Sequence, residues 1–163
     1  RVTHLVLVGT AFPMKVSPAL LEASLNEPEK AIRMINVFSR STLAPPPSAL
    51  GPGTWVYGTN HALNRRVLRS NPHENVFHIG FAACNSYANG EAAMTQVSAP
   101  VLFVLGDADQ MTAPKAAQGL IARAQGAGLG VQVARLPVGH HQMNEAPDAT
   151  LLALRDFLRG VLR

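Results

Sequence analysis

Three short runs of strand-forming residues constrain the fold of this chain more than any other feature. They occupy residues 3–8, 101–105 and 131–136, and a glycine directly follows each of the first two. The first two are almost continuously apolar, whereas a strand with one solvated face alternates apolar and polar residues. Continuous apolar character is typical of parallel strands that are covered by helices on both faces. We therefore predict an α/β fold with a parallel sheet.

Helical patterns follow the second and the third run. Residues 113–125 are predicted to form a helix, which Thr112 can cap, Pro114 can open and Gly126 can end. A last helix is expected to begin at Pro147. Its predicted apolar stripe consists of Leu151, Leu154, Leu158 and Val161. Strands and helices that alternate at this spacing predict parallel βα units.

The region between the first and second runs has a different character. Helical patterns occur at 19–38 and 61–69, and a mixed apolar and polar segment spans 76–87. Residues rich in Pro and Gly, at 45–47 and 51–53, predict a stiff connector. Since this region contains no strand pattern of the sheet type, we interpret it as a helical insertion. The predicted parts are a core strand with its loop at 1–15, the insertion at 16–96, and further core strands and helices at 97–163.

Composition argues against several classes of partner. The net charge is +4, and Arg65, Arg66 and Arg69 form a cluster, but no aromatic residues interleave with them. We therefore interpret the cluster as a solvated helix face and expect no nucleic-acid partner. No apolar run approaches the roughly 20 residues that span a bilayer, and no secretory leader pattern is seen. The single Cys84 suits a reducing compartment, so we expect a cytoplasmic protein.

Polar residues cluster just after the second and third predicted strands. One cluster covers residues 106–112 and includes Asp109, and the other covers 139–147 and includes His140. In open α/β sheets, ligands bind in the crevice outside the carboxyl ends of the strands. We therefore predict that the functional site lies at this edge of the sheet.

The order of these motifs resembles the carboxy-terminal part of the α/β-hydrolase family. That pattern is a strand ending in Gly-x-x-Asp, a helix, another strand, Gly-His, Glu-x-Pro and a final helix. Here it occurs at Gly106 to Asp109, at Gly139 with His140, and at Glu145 with Pro147. The resemblance implies the sixth to eighth strands of the family's sheet, with the insertion in place of its helical cap. It also implies that Asp109 orients His140, the general base that activates a nucleophile.

Chemistry supports the same pair independently of the resemblance. A neutral imidazole accepts a hydroxyl proton only if its tautomer is fixed, and a buried carboxylate bound to the other ring nitrogen fixes it. Asp109 lies three residues after Gly106, where the strand stops, and can reach the loop of the neighbouring strand. Asp107 should instead point to solvent or bond local backbone amides. We therefore predict that Asp109 and His140 lie within hydrogen-bond reach. His141 is the alternative histidine, and we interpret it as a surface neighbour.

The sequence contains no recognisable nucleophile. In the family, the nucleophile lies in a Gly-x-Ser-x-Gly turn, and no such pentapeptide occurs here. The family's oxyanion loop is missing as well, and Cys84 has no glycine-bounded turn, so we interpret it as a cap residue. The chain opens with Arg1 almost directly before a predicted strand, although termini usually lie at frayed surface positions. We therefore expect the nucleophile to lie upstream.

Other possible binding motifs do not fit their usual contexts. The glycines of residues 126–130 follow a helix and precede a strand, the reverse of the order in a dinucleotide site. A flavodoxin-like nucleotide binder would need a phosphate-cradling loop after a strand, which we do not find. His73 and His78 are too isolated for a metal site, and the His140-His141 pair lacks a third ligand at zinc spacing. We expect neither a metal nor another cofactor.

We predict a serine-dependent hydrolase that cleaves a small ester or a similar acyl substrate. One alternative is a non-catalytic relative that serves as a binding module. Another is a relative with an Asp nucleophile that acts on halides or epoxides. Five apolar residues could line a substrate pocket, and core packing explains each of them about as well. They are Phe12, Met14, Phe81, Met111 and Met143.

The chain by itself is expected to be inactive and to associate. In the family, its first strand would pair with a strand that this chain does not contain. The resulting unpaired edge favours pairing with another chain, so we expect an amino-terminal companion or self-association through the first strand. A stable monomer in size-exclusion chromatography with light scattering would contradict this expectation.

Overall fold

A computed structural model describes residues 2–40 and 55–161 of the chain. Its strands are β1 (Leu5–Val8), β2 (Val101–Gly106) and β3 (Val131–Leu136). They form a parallel sheet in the order β1-β2-β3, so β2 pairs with a neighbour on each side. The prediction of an α/β fold with a parallel sheet is confirmed.

The described residues between β1 and β2 form helices and no strand. The helices are α1 (Pro18–Asn26), α2 (Pro28–Phe38), α3 (Val56–Ser70), α4 (Val76–Ser86) and α5 (Gly90–Met94). The single helix expected over 19–38 is divided in two, because Pro28 opens a new helix after Glu27. The helix expected at 61–69 begins earlier, at Val56. The predicted connector at 45–47 and 51–53 lies outside the described residues.

The elements after β2 follow the predicted alternation, with one error at the start of a helix. A short 3-10 helix, Pro114–Ala117, precedes α6 (Gln118–Gly126), and β3 leads to α7 (Gln142–Glu145) and α8 (Pro147–Val161). Ala113 precedes the 3-10 helix and makes no side-chain cap. The prediction that Thr112 caps a helix is therefore wrong. Its hydroxyl contacts residues of the candidate site instead.

The central strand β2 carries the core of the sheet. Its side chains are almost completely buried, and they alternate between the two faces as strand geometry requires. On one face, Val101, Phe103 and Leu105 pack against α6. On the other face, Leu102 and Val104 pack against Phe157 of α8. All side chains of β2 are apolar because both of its faces are buried.

The inward face of α8 differs from the predicted apolar stripe. Leu151 and Leu158 are 63% and 42% exposed, whereas Phe157 is 1% exposed. Thr150 is buried, and Leu154 packs on the same cluster as Phe157. The spacing i, i+4, i+7 of these three residues sets the helix face. The predicted stripe was therefore rotated away from the core at Leu151 and Leu158.

The helical region contacts the sheet edge through a smaller cluster. Leu20, Ala23 and Ala31 form its buried centre, and Phe81 of α4 and Met111 of the loop after β2 pack against it. This contact brings the helices over the carboxyl ends of the strands. No helix among the described residues is both long and apolar enough to cross a membrane. The expected association through the outer edge of β1 stays a prediction.

Candidate active site

The loops that follow the three strands meet at one edge of the sheet. Gly9 follows β1, and its amide donates to the carbonyl of Val104 in β2. Its φ of 58° lies in the left-handed region, which favours glycine. A Cβ on Gly9 would lie 3.3 Å from ring atoms of His140. The backbone after β1 therefore packs directly against the ring of that histidine.

The expected contact between Asp109 and His140 is present. Nδ1 of His140 donates to Oδ2 of Asp109 at 2.9 Å. The carboxylate side chain is 0% exposed, while the imidazole is 30% exposed. Because the carboxylate binds Nδ1, the neutral ring carries its proton there and leaves the lone pair on Nε2. This tautomer can accept a proton through Nε2.

Local hydrogen bonds hold Asp109 independently of the histidine. Its Oδ1 accepts from the amides of Met111 and Thr112, each at 2.8 Å, which forms an Asx-type turn. The Thr112 hydroxyl oxygen lies 2.9 Å from its Oδ2. Burial by itself would raise the pKa of Asp109, but the hydrogen bonds from His140 and Thr112 outweigh it and lower the pKa below its ordinary value. The carboxylate is therefore ionised at neutral pH.

Asp107 takes no part in this pair. Nε of Arg135 in β3 donates to Oδ1 of Asp107 at 2.6 Å, and both side chains are about half exposed. The side chain therefore lies at the surface, as expected, although its partner is an arginine and not a local amide. An exposed ion pair of this kind contributes about 0 to 1 kcal/mol to stability.

The loop that carries His140 is fixed by buried contacts. The amide of Gly139 donates to Oε1 of the buried Glu145 at 3.1 Å. The amides of His140 and His141 both donate to the carbonyl of Ser39, which follows α2, at 2.8 and 3.2 Å. The glutamate of the Glu-x-Pro motif thus holds the histidine loop, and the end of α2 braces it.

His141 is more than the surface neighbour that we expected. It is partly buried, and its Nδ1 accepts from Nδ2 of Asn60 in α3 at 2.8 Å. Burial lowers the pKa of His141, and the charge of Arg40 adds to this effect. The interpretation of His141 as a surface residue is therefore wrong. Neutral His141 links α3 to the loop that carries His140.

A cavity of about 500 Å³ opens beside His140. Of the five pocket candidates, Met14, Phe81 and Met111 line it. Phe12 does not, because it packs against the core on one face of the sheet and against the ring of Tyr87. Met143 does not either, and it is 64% exposed. The structure thus places these two residues outside this cavity.

The cavity also contains residues that sequence reasoning missed. Met34, Ile35 and Phe38 of α2 line its wall, and Cys84 of α4 lies in it. The apolar pattern of α2 identified a packing face but could not show that part of this face borders a cavity. Among residues 2–40 and 55–161, no cluster of three or more His, Cys, Asp or Glu side chains could hold a metal ion.

Comparisons with known proteins identify solved structures with a similar fold. No protein-family model matches the chain, and no curated protein does. Solved structures do match, among them a thermophilic esterase with 22% identity and a TM-score of 0.72, covering 97% of this chain and 56% of that protein. An esterase from Exiguobacterium antarcticum has 13% identity and a TM-score of 0.69, with coverages of 99% and 57%. A bromoperoxidase from Bacillus anthracis has 13% identity and a TM-score of 0.70, with coverages of 98% and 59%.

The chain has the α/β-hydrolase fold, as the order of its motifs indicated. It spans a little over half the length of these three solved proteins. At these identities the likeness concerns the fold. Activity depends on the residues of the site and not on the fold alone.

Proposed function

We propose that the protein containing this chain hydrolyses esters by a Ser-His-Asp mechanism. The contact between the buried Asp109 and Nδ1 of His140 carries this proposal. Such a pair keeps the other ring nitrogen free to act as a base. Two of the matched structures are named esterases, which is consistent with the proposal at the level of the fold.

In the proposed reaction, His140 accepts the hydroxyl proton of a serine as the serine attacks the ester carbonyl. The imidazolium then donates this proton to the departing alcohol, and an acyl-enzyme remains. His140 next accepts a proton from a water molecule as that water attacks the acyl carbon. The imidazolium then returns the proton to the serine oxygen as the bond to the serine breaks and the acid leaves. The ionised Asp109 stabilises the imidazolium in both steps and does not itself take the proton. We propose that the serine comes from a part of the protein outside these 163 residues.

The apolar part of the cavity wall supports a substrate with an apolar substituent. Met34, Ile35 and Phe38 lie on one side of the cavity, and Phe81 and Met111 belong to other elements that border it. Apolar walls favour groups that lose little hydration when they enter. Methionine side chains also adapt to different shapes. We therefore propose small alkyl or aryl esters as substrates.

Three variants of the intact protein test the role of His140. With a series of p-nitrophenyl esters, His140→Ala should abolish turnover, whereas His141→Ala should retain most of it. His73→Ala is a matched control, because this histidine is exposed in the turn before α4. Equal losses from His140→Ala and His141→Ala would overturn the assignment.

The nucleophile needs a separate test. A fluorophosphonate probe should label one serine of the intact protein, and mass spectrometry of the labelled peptide should identify it. Turnover of haloalkanes or epoxides without serine labelling would favour the Asp-nucleophile alternative. Substrate binding without any turnover would favour a binding module. We further propose a reducing, cytoplasmic location, which the unpaired Cys84 supports.

A further inference from the structure

The side chain of Thr112 contacts all three loops of the site. Its hydroxyl donates to the carbonyl of Gly9 at 2.6 Å and lies 2.9 Å from Oδ2 of Asp109. It also lies 3.0 Å from Nδ1 of His140. These partners follow β1, β2 and β3 respectively. One hydroxyl therefore joins three segments that are distant in the sequence.

We propose that Thr112 is a positioning residue that holds the imidazole of His140 in its working orientation. This inference rests on the proposed function. The Nδ1 proton of His140 has two acceptors beside it, Oδ2 of Asp109 and the oxygen of Thr112. Two acceptors at 2.9 and 3.0 Å restrict rotation of the ring more than one acceptor does. Nε2 is thereby kept in a fixed direction.

The second part of the positioning acts through Gly9. The Thr112 hydroxyl fixes the Gly9 carbonyl, and the backbone of Gly9 packs against the His140 ring. Without this hydroxyl, the wall beside the ring loses a restraint at the same time as Nδ1 loses an acceptor. Orientation matters because small misplacements of reacting groups strongly reduce rates.

The hydroxyl can be separated from the rest of Thr112 by substitution. The amide of residue 112 donates to Oδ1 of Asp109, and this bond is available to any residue with a backbone N–H. Thr112→Val keeps the branched shape and this amide but removes the hydroxyl. Thr112→Ser keeps the hydroxyl and removes a methyl group. Thr95→Val is a matched control, since the exposed Thr95 hydroxyl bonds to the Ala92 carbonyl in α5.

Kinetics of the intact protein provide the first readout. Losing a hydrogen bond to a charged group corresponds to a decrease in rate of about tenfold to hundredfold. Thr112→Val should lower kcat for a p-nitrophenyl ester by this factor with little change in KM. Thr112→Ser should keep most of the wild-type kcat, and Thr95→Val should have the same kcat as the wild type. Equal kcat values for wild type and Thr112→Val would overturn the proposal, as would a failure of Thr112→Ser to restore activity in a folded protein.

Nitrogen-15 NMR of the histidine side chains gives a readout that does not require activity. The Nδ1 proton of His140 should give a resonance protected from solvent exchange in the wild type and in Thr112→Ser. It should broaden or disappear in Thr112→Val. An unchanged resonance in Thr112→Val would contradict the positioning role. If the wild type shows this resonance and the Thr112 dependence but hydrolyses no ester, the proposed function fails and the positioning of His140 by Thr112 stands.

Discussion

Gly106 ends β2 at a position where the structure leaves no room for a Cβ atom. A methyl group there would lie 2.6 Å from the carbonyl oxygen of Val138 and closer still to that of Gly139. Ordinary contacts begin at 3.4 Å, so the Val138 oxygen alone would have to move by about 0.8 Å. These are backbone atoms, which cannot rotate away as the end of a side chain can. Gly106→Ala therefore has to displace the segment after β3.

We expect Gly106→Ala to lower both stability and activity. Forcing an extra methyl group into a packed site costs about 1 to 3 kcal/mol, and the rigid backbone places the expected loss at the upper end. His140 directly follows Gly139, so the displacement would also disturb its 2.9 Å bond to Asp109. A misplacement of about 1 Å can lower a rate by about a hundredfold. We expect a loss of kcat of this order in the variant.

Urea denaturation of Gly106→Ala and Gly80→Ala provides a matched pair. Gly80 lies within α4, and a Cβ added there meets no atom within 4 Å. Glycine within a helix costs about 0.5 to 1 kcal/mol relative to alanine, so Gly80→Ala should stabilise the protein by about that amount. The same substitution should thus have opposite signs at the two positions. A Gly106→Ala variant as stable and as active as the wild type would refute the steric reasoning.

Three further predictions concern the candidate active site. Asp109→Asn should lower kcat for ester hydrolysis by about four decades, the loss attributed to a wrong imidazole tautomer in serine proteases; a loss below tenfold in steady-state kinetics would argue against the pair. His141→Ala should lower the free energy of unfolding by about 1 kcal/mol through loss of its hydrogen bond to Asn60. Asn60→Ala should do the same, and additivity in the double variant would show that the two residues are not coupled. Finally, the pKa of Asp109 in the folded protein is lower than its ordinary value of 3.8. Ionisation of this carboxyl therefore stabilises the fold above about pH 3.8. This contribution is lost as the pH falls through the lower pKa of the folded protein. The difference in unfolding free energy between wild type and Asp109→Asn should shrink in acid, and a constant difference from neutral to acidic pH would contradict this linkage.

The sequence by itself determined the type of sheet and the pair at its edge. Continuous apolar residues in β2 are required because both faces of a central parallel strand are buried. The glycine at 106, the carboxylate at 109 and the histidine at 140 then follow strand ends whose parallel order brings them to one edge. These features depend on residue type and short spacing. Pattern reasoning could therefore predict the contact between Asp109 and His140.

Only the tertiary structure decided which other residues surround that pair. Thr112 has the sequence context of a helix cap, yet its hydroxyl bonds to a carbonyl 103 residues away. His141 bonds to Asn60, which is 81 residues away. Phe12 and Met143 are as apolar as Met14 and Met111. Of these four residues, Met14 and Met111 line the cavity and the other two do not. A hydroxyl or an apolar side chain suits many environments, and the packing of distant segments selects one of them.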